Sequence, residues 1–213
     1  MPRAQTARPR RRSPGRPRRS PDQEAQVRTR VTGIAAHLFR EEGIAALSMR
    51  RIAREAGVSA MSLYDYFHSK NEIIRSIWER FFSRCFDRVD VAVAECDGKP
   101  RQRLEAACAA YTGYWLDHPD EYRAIFMIED RVESQERYYV ETSNILERYG
   151  LFRQLLGELP GVSDRGSEAV RVRSVALICA LNGICHMLVT VSEHSWPPPA
   201  QLLGQVLRMV DGP

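Results

Sequence analysis

Between Glu55 and Ile74 the chain reads EAGVSAMSLYDYFHSKNEII. This run offers serine hydroxyls at Ser59, Ser62 and Ser69, phenols at Tyr64 and Tyr66, the His68 imidazole and the Lys70 ammonium, with no obvious catalytic group. Hydroxyls and an ammonium on one short segment suit hydrogen bonding to an anion better than bond breaking. A second concentration is YTGYWLDHPDEYRAIF, Tyr111 to Phe126, where aromatic rings gather around a proline break. A third is the N-terminus, where residues 1–19 hold eight arginines and no acid, Arg16 and Arg18 among them.

The charge distribution gives these groups a context. The net charge of +4 hides an asymmetry, because the remaining 194 residues carry 23 Lys and Arg against 27 acids. A basic arm on a mildly acidic body implies a polyanionic partner for the arm. Arg and Pro with scarcely any apolar residue cannot bury enough surface to offset chain entropy, so residues 1–19 are expected to be a disordered arm. They also lack the apolar stretch of a secretory signal. The longest apolar run, Val175 to Val191, is short for a membrane span and contains Asn182, Gly183 and His186, so it reads as a buried helix. The expectation is a cytoplasmic protein with no membrane association.

Several chemistries find no support. A di-iron helical bundle needs paired Glu-x-x-His motifs on facing helices; the chain has none, and its nearest spacing, Asp65 to His68, lies inside the first run. No Gly-rich phosphate loop or nucleophile elbow occurs. Five cysteines with no CxxC suggest small core residues rather than a zinc site or disulfides. No metal or cofactor is expected, and the chain does not read as an enzyme.

The elements that position the reactive groups are helical. Ser20 caps a first helix with Pro21 at its first position and Gln23 completing a capping box; Val27, Val31, Ile34, Ala35, Leu38 and Phe39 follow helical spacing to Gly43. Ser48 caps a second helix that ends at Gly57 in a left-handed turn. Ser59 caps a third of about two turns. Ser69 and Glu72 form a capping box opening a long fourth helix, whose apolar stripe runs from Ile73 to Val89. Further helices are expected at about 101–117, 119–130, 134–157, 165–193 and 200–210, with no strands. The fold class is all-α, in three parts: the arm 1–19, an N-terminal helix-turn-helix unit 20–85, and a helical bundle 86–213 joined through the long helix.

Two short helices separated by AGVS make a helix-turn-helix, whose second helix fits a major groove. LSMRRIAREAGVSAMSLYDYFHSKNEII resembles the DNA-binding segment of TetR-type transcriptional regulators, with the resemblance covering residues 24–85. It implies that Ser48, Tyr64, Tyr66 and Lys70 hold phosphates. It also places Arg50, Ser59, Ala60, Met61 and Ser62 where base edges or nearby phosphates are met, with Leu63 and Phe67 in the core. Ala60 and Met61 stand where the family often has Lys and a small residue, which favours methyl contacts to thymine. His68 replaces a common proline in the same DNA-facing set. In the arm, SPGRPRR has a Gly-Arg-Pro core similar to an AT-hook; Arg16 and Arg18 either enter an A·T minor groove or tether to phosphates.

The resemblance further implies a homodimer on a double-stranded, pseudo-palindromic DNA operator, released by a small-molecule effector, with repression the commoner behaviour. The helices at 165–193 and 200–210 are the expected twofold surface, with Ala176, Ala180 and Gly183 on one face and Ile178, Leu181, Cys185 and Leu188 beside it. Asp-His-Pro-x-x-Tyr resembles the ligand-side domain of a TetR subgroup. Tyr111, Tyr114, Trp115, Phe126, Met127, Tyr138, Asn182 and His186 then line an apolar effector pocket or serve simply as core. The rival readings are a helical-bundle enzyme and an architectural protein coating A·T-rich DNA through its arm.

Overall fold

The computed structural model describes residues 20–127, 144–162 and 166–210. Among them are ten α-helices, one 3-10 turn and no strand. The helices are α1 (Pro21–Glu42), α2 (Met49–Glu55), α3 (Ala60–Tyr64), α4 (Lys70–Ala94), α5 (Pro100–Asp117), α6 (Pro119–Phe126), α7 (Asn144–Arg148), α8 (Gly150–Gly157), α9 (Glu168–Thr190) and α10 (Pro199–Val210). The arm, with Arg16 and Arg18, and Tyr138 lie outside the described residues.

Local chemistry accounts for the starts. Ser20 and Gln23 form the reciprocal capping box with Pro21 at the first position. Ser48, Ser59 and Ser69 each accept the backbone N–H of the third residue of their helices, satisfying donors that no helical carbonyl can reach. Gly57 has φ +65°, the left-handed conformation that reverses the chain between α2 and α3. The expected box at Ser69 is half present. Ser69 caps, but Glu72 turns to the backbone N–H of His68 at 2.7 Å and to Arg28.

Helix α3 is shorter than two turns, because Tyr66 and Phe67 leave the helical path and bury their rings. The helix expected over 134–157 is interrupted at Tyr149 within its described part. Helix α4 carries one continuous buried stripe, Ile73, Ile74, Ile77, Trp78, Phe81, Phe82, Cys85, Phe86 and Val89. Its N-terminal half meets α1, where Thr32 and Ser76 share a hydroxyl hydrogen bond of 2.9 Å. Its C-terminal half packs on α5 and α7. The boundary expected at residue 85 falls inside this helix.

Helix α9 has the length and apolar character of a membrane span. One side, Val170, Leu177, Leu181, Cys185 and Val189, is buried, where α9 packs with α5, α8 and α10. The other leaves Val172, Val175 and Met187 about half exposed. Leu181 and Cys185 therefore belong to the inner side, not to the outer face expected for them. Ala176 and Gly183 are exposed, and Ala180, Ile178 and Leu188 are half-buried. Cys85, Cys108 and Cys185 are core residues, whereas Cys179 is exposed. Burial pushes the Cys108 and Cys185 thiols up to about 12, so neither is a ready nucleophile.

Candidate nucleic-acid interface and effector site

Helix α3 is held from one side only. Leu63, Tyr66 and Phe67 are buried, while Ser59, Ala60, Met61 and Tyr64 are exposed. Met61 is 82% exposed and Tyr64 50%. A methionine thrust this far into water gains nothing for the fold. Ser59 Oγ accepts the Ser62 N–H at 3.0 Å and donates to Ser62 Oγ at 3.0 Å, which fixes both hydroxyls at the start of α3. Ser48 and Arg50 are exposed at the start of α2, His68 is exposed in the following turn, and Lys70 is half-buried as the first residue of α4. Of the expected DNA-facing set, Tyr66 is the exception, because its ring is 4% exposed and sits in the core.

A clasp sets the pose of α3. Arg28, from α1, donates to the Tyr66 carbonyl, pairs with Glu72 at 2.8 Å, and lies over the Phe67 ring at 4.2 Å. The second Glu72 oxygen takes the His68 N–H. Burial alone would raise the Glu72 pKa. The Arg28 hydrogen bond, the His68 N–H and the Arg28 charge together outweigh it and leave the carboxyl below its ordinary range. One arginine thus joins α1 to both ends of the turn between α3 and α4. No local signal marks this arginine, since its partners lie some forty residues away.

In the C-terminal part, the expected effector residues meet in an aromatic cluster. Trp115 makes edge contacts with Phe82 at 5.5 Å, Tyr114 at 5.0 Å, Tyr122 at 6.0 Å and Phe126 at 5.6 Å. Edge-to-face pairs of this kind add to the area they bury. Tyr111 shares a hydrogen bond with Tyr149 at 2.9 Å and donates to Asn182 Oδ1 at 3.1 Å. Burial raises the Tyr111 pKa well above the phenol range. Trp115 is fully buried, yet its indole N–H has no hydrogen-bond partner among the described residues. Met127 is exposed and ends the described stretch; His186 is exposed, with its ring 6.3 Å from Tyr122. Asn182 thus joins the cluster, while His186 stands at its edge.

Sequence reasoning missed Tyr122, Tyr149, Phe82 and Phe86 as members of this cluster, although each sits in an apolar helical pattern. It also missed Glu121. This carboxylate is 1% exposed, accepts the Tyr114 hydroxyl on Oε2 at 2.6 Å, and takes Arg84 at 2.8 Å and Arg40 at 3.4 Å on Oε1. Its one signal was an acid inside the buried face of α6. Among the described residues, no group of three or more His, Cys, Asp or Glu is placed to hold a metal.

Residues 34–77 match the family of bacterial regulatory proteins named tetR, and residues 104–210 match a tetracyclin repressor-like C-terminal domain. The transcriptional repressor KstR2 of Mycobacterium tuberculosis is 31% identical over 117 residues, 54% of this chain and 58% of KstR2. The transcriptional activator FasR of Mycolicibacterium smegmatis is 31% identical over 144 residues, 67% of this chain and 62% of FasR. The chain thus spans less than two thirds of the length of these curated relatives. Among solved structures, a regulator FadR from Bacillus subtilis in complex with stearoyl-CoA superposes with a TM-score of 0.66 at 17% identity, covering 86% of this chain and 97% of FadR. A protein of unknown function from Rhodococcus gives 0.67 at 20% identity, covering 86% and 93%. At these identities the structural likeness speaks for the fold.

Proposed function

Starting from a chain that belongs to the tetR family of bacterial regulatory proteins, we propose that it is an effector-released repressor acting as a homodimer on a pseudo-palindromic operator in the cytoplasm. The supporting observation is the outward face of α3. It keeps Met61 and Tyr64 in solvent while Leu63 is fully buried beneath them. In a major groove, Ala60 and Met61 offer methyl surface to thymine, and Ser59 and Ser62 offer short hydrogen bonds. Tyr64, Ser48 and Lys70 face phosphates, the last at the positive end of the α4 dipole. Arg50 and His68 complete the basic edge. Tyr66 is left out of this set.

Two half-sites of such an operator lie about one turn, ~34–36 Å, apart, so two heads must be held together. The outer side of α9, with Val172, Val175, Ala176, Gly183 and Met187, together with α10, is the proposed twofold surface. The proposed effector region is the aromatic cluster, where Tyr111, Tyr149 and Asn182 supply the polar contacts. Its effect on DNA requires different affinities for the operator-bound and released states.

Selection of bound duplexes from a random pool, with and without residues 2–19, tests this reading. It expects enrichment of an inverted repeat by both proteins. Replacing Tyr64 and Lys70 together by Ala should weaken binding to every duplex alike and lower the salt slope of the dimer by about two, about one per protomer. A double variant of full affinity would take both side chains out of the interface.

A further inference from the structure

Glu121 divides its two oxygens between the two ends of the molecule. Oε2 accepts the hydroxyl of Tyr114, whose ring lies 5.0 Å from Trp115 in the aromatic cluster. Oε1 is shared by Arg84 of α4 at 2.8 Å and Arg40 of α1 at 3.4 Å. Arg84 also sits 5.9 Å from the centre of the Tyr114 ring. The carboxylate is buried, and both guanidiniums are more than a third exposed. A buried charge is tolerable only while its partners stay in place, so a shift of Tyr114, α4 or α1 is felt by the other two. Beside the Arg40 contact, a cleft of about 250 Å³, lined by Phe39, Arg40, Gly43, Ile44, Asp120, Arg123 and Ala124, separates the end of α1 from α6. The cleft leaves open space between the head and α6 at this point, and the longer Arg40 bond is an ionic contact made beside it.

We infer that Glu121 is a positioning residue coupling the aromatic effector region to the DNA-reading head, through Arg40 on one side and Tyr114 on the other. The inference rests on the function proposed above. The tied arrangement accompanies a cluster packed ring against ring. An effector entering between the rings displaces Tyr114, which removes one of the three partners of a buried carboxylate and loosens Oε1 from Arg40. The head then turns about α4, with the open cleft giving it room. In the effector-released reading, the tied form is the operator-competent one. Glu121 touches neither DNA nor effector and acts through the arginine and the tyrosine.

The test uses the full chain and a duplex recovered by the selection above. Arg40→Gln is expected to weaken operator binding about tenfold, in the range typical of coupling between sites. The salt slope of the affinity should stay at its wild-type value, because no phosphate contact is lost. Arg40→Lys should recover most of the affinity. Glu121→Gln should cause a comparable loss, and the double variant should be no weaker than either single one, within about twofold. Independent, multiplying losses would overturn the coupling, as would an Arg40→Gln protein of unchanged affinity. Should Glu121→Gln fail to fold, the Arg40 variants decide alone, since that side chain is substantially exposed. A wild-type protein that selects no duplex would instead sink the proposed function itself.

Discussion

Glu72→Gln is a sharp probe of how the recognition helix is held. The substitution keeps the size of the side chain but removes the charge that Arg28 and the His68 N–H share. Charge-assisted hydrogen bonds contribute roughly 1.5–3 kcal/mol each when well shielded. Here the paired side chains are 37% and 25% exposed, which moves the pair toward the small values of surface ion pairs. The amide oxygen still accepts one of the two bonds. A net loss of about 1–2 kcal/mol follows, and for a chain of this size that lowers the melting temperature by about 3–6 °C. Thermal melts of both proteins at one concentration read it. The pH dependence is the stronger check. The folded Glu72 carboxyl ionises below its ordinary value of 4.5, so the wild-type advantage is fully present above that value. It fades as pH falls through the lowered folded value. Equal melting temperatures at pH 7 would refute the clasp. So would a gap that holds or widens in acid.

Other outcomes are expected at separate sites. Gly57→Ala should destabilise by roughly 1–2 kcal/mol through backbone strain alone, because φ is +65° and nothing lies within 4 Å of an added Cβ; a urea midpoint equal to wild type would count against it. Gly183→Ala, likewise in open space on α9, should favour the helix by about 0.5–1 kcal/mol yet weaken self-association if that face meets its copy, which sedimentation at graded concentrations resolves. Val175→Glu on the same face should yield monomers that keep their helical content, and an unchanged oligomer would move the interface elsewhere. Leu63→Ala should cost about 2–5 kcal/mol and operator binding with it, read by denaturation and anisotropy.

Much of the head was legible because its signals are local. Ser20 with Gln23, Ser48, Ser59 and Gly57 each act within a few residues of themselves, and so do the caps and turn they build. Glu72 shows where such reading ends. Its spacing from Ser69 fits a capping box, but Arg28 approaches across 44 positions and draws the carboxylate to itself and to His68. The family resemblance turns the Tyr66 phenol outward to a phosphate, yet the chain turns after Tyr64 and takes the ring inward. On α9 the apolar pattern runs nearly all the way round, so spacing alone did not separate Leu181 and Cys185 from the outer side. The aromatic cluster could be named ring by ring but not assembled, since Phe82 comes from α4, Tyr111 and Trp115 from α5, Tyr122 from α6 and Tyr149 from the turn between α7 and α8. Glu121 was least legible, because the reason for a buried acid lies wholly in Arg40, Arg84 and Tyr114.

Helix α4, at 25 residues and about 37 Å, also governs how the protein can be recombined. Transplanting this reading head onto another sensor means cutting within α4, after Ser76 has met Thr32 and before Phe82 enters the rings. That seam is under two turns long. An insertion or deletion of one residue there would rotate everything downstream by about 100°, carrying Glu121 away from Arg40 of the head. Functional hybrids should therefore keep the residue count between these two positions, and the donor head must bring an arginine to the end of its first helix.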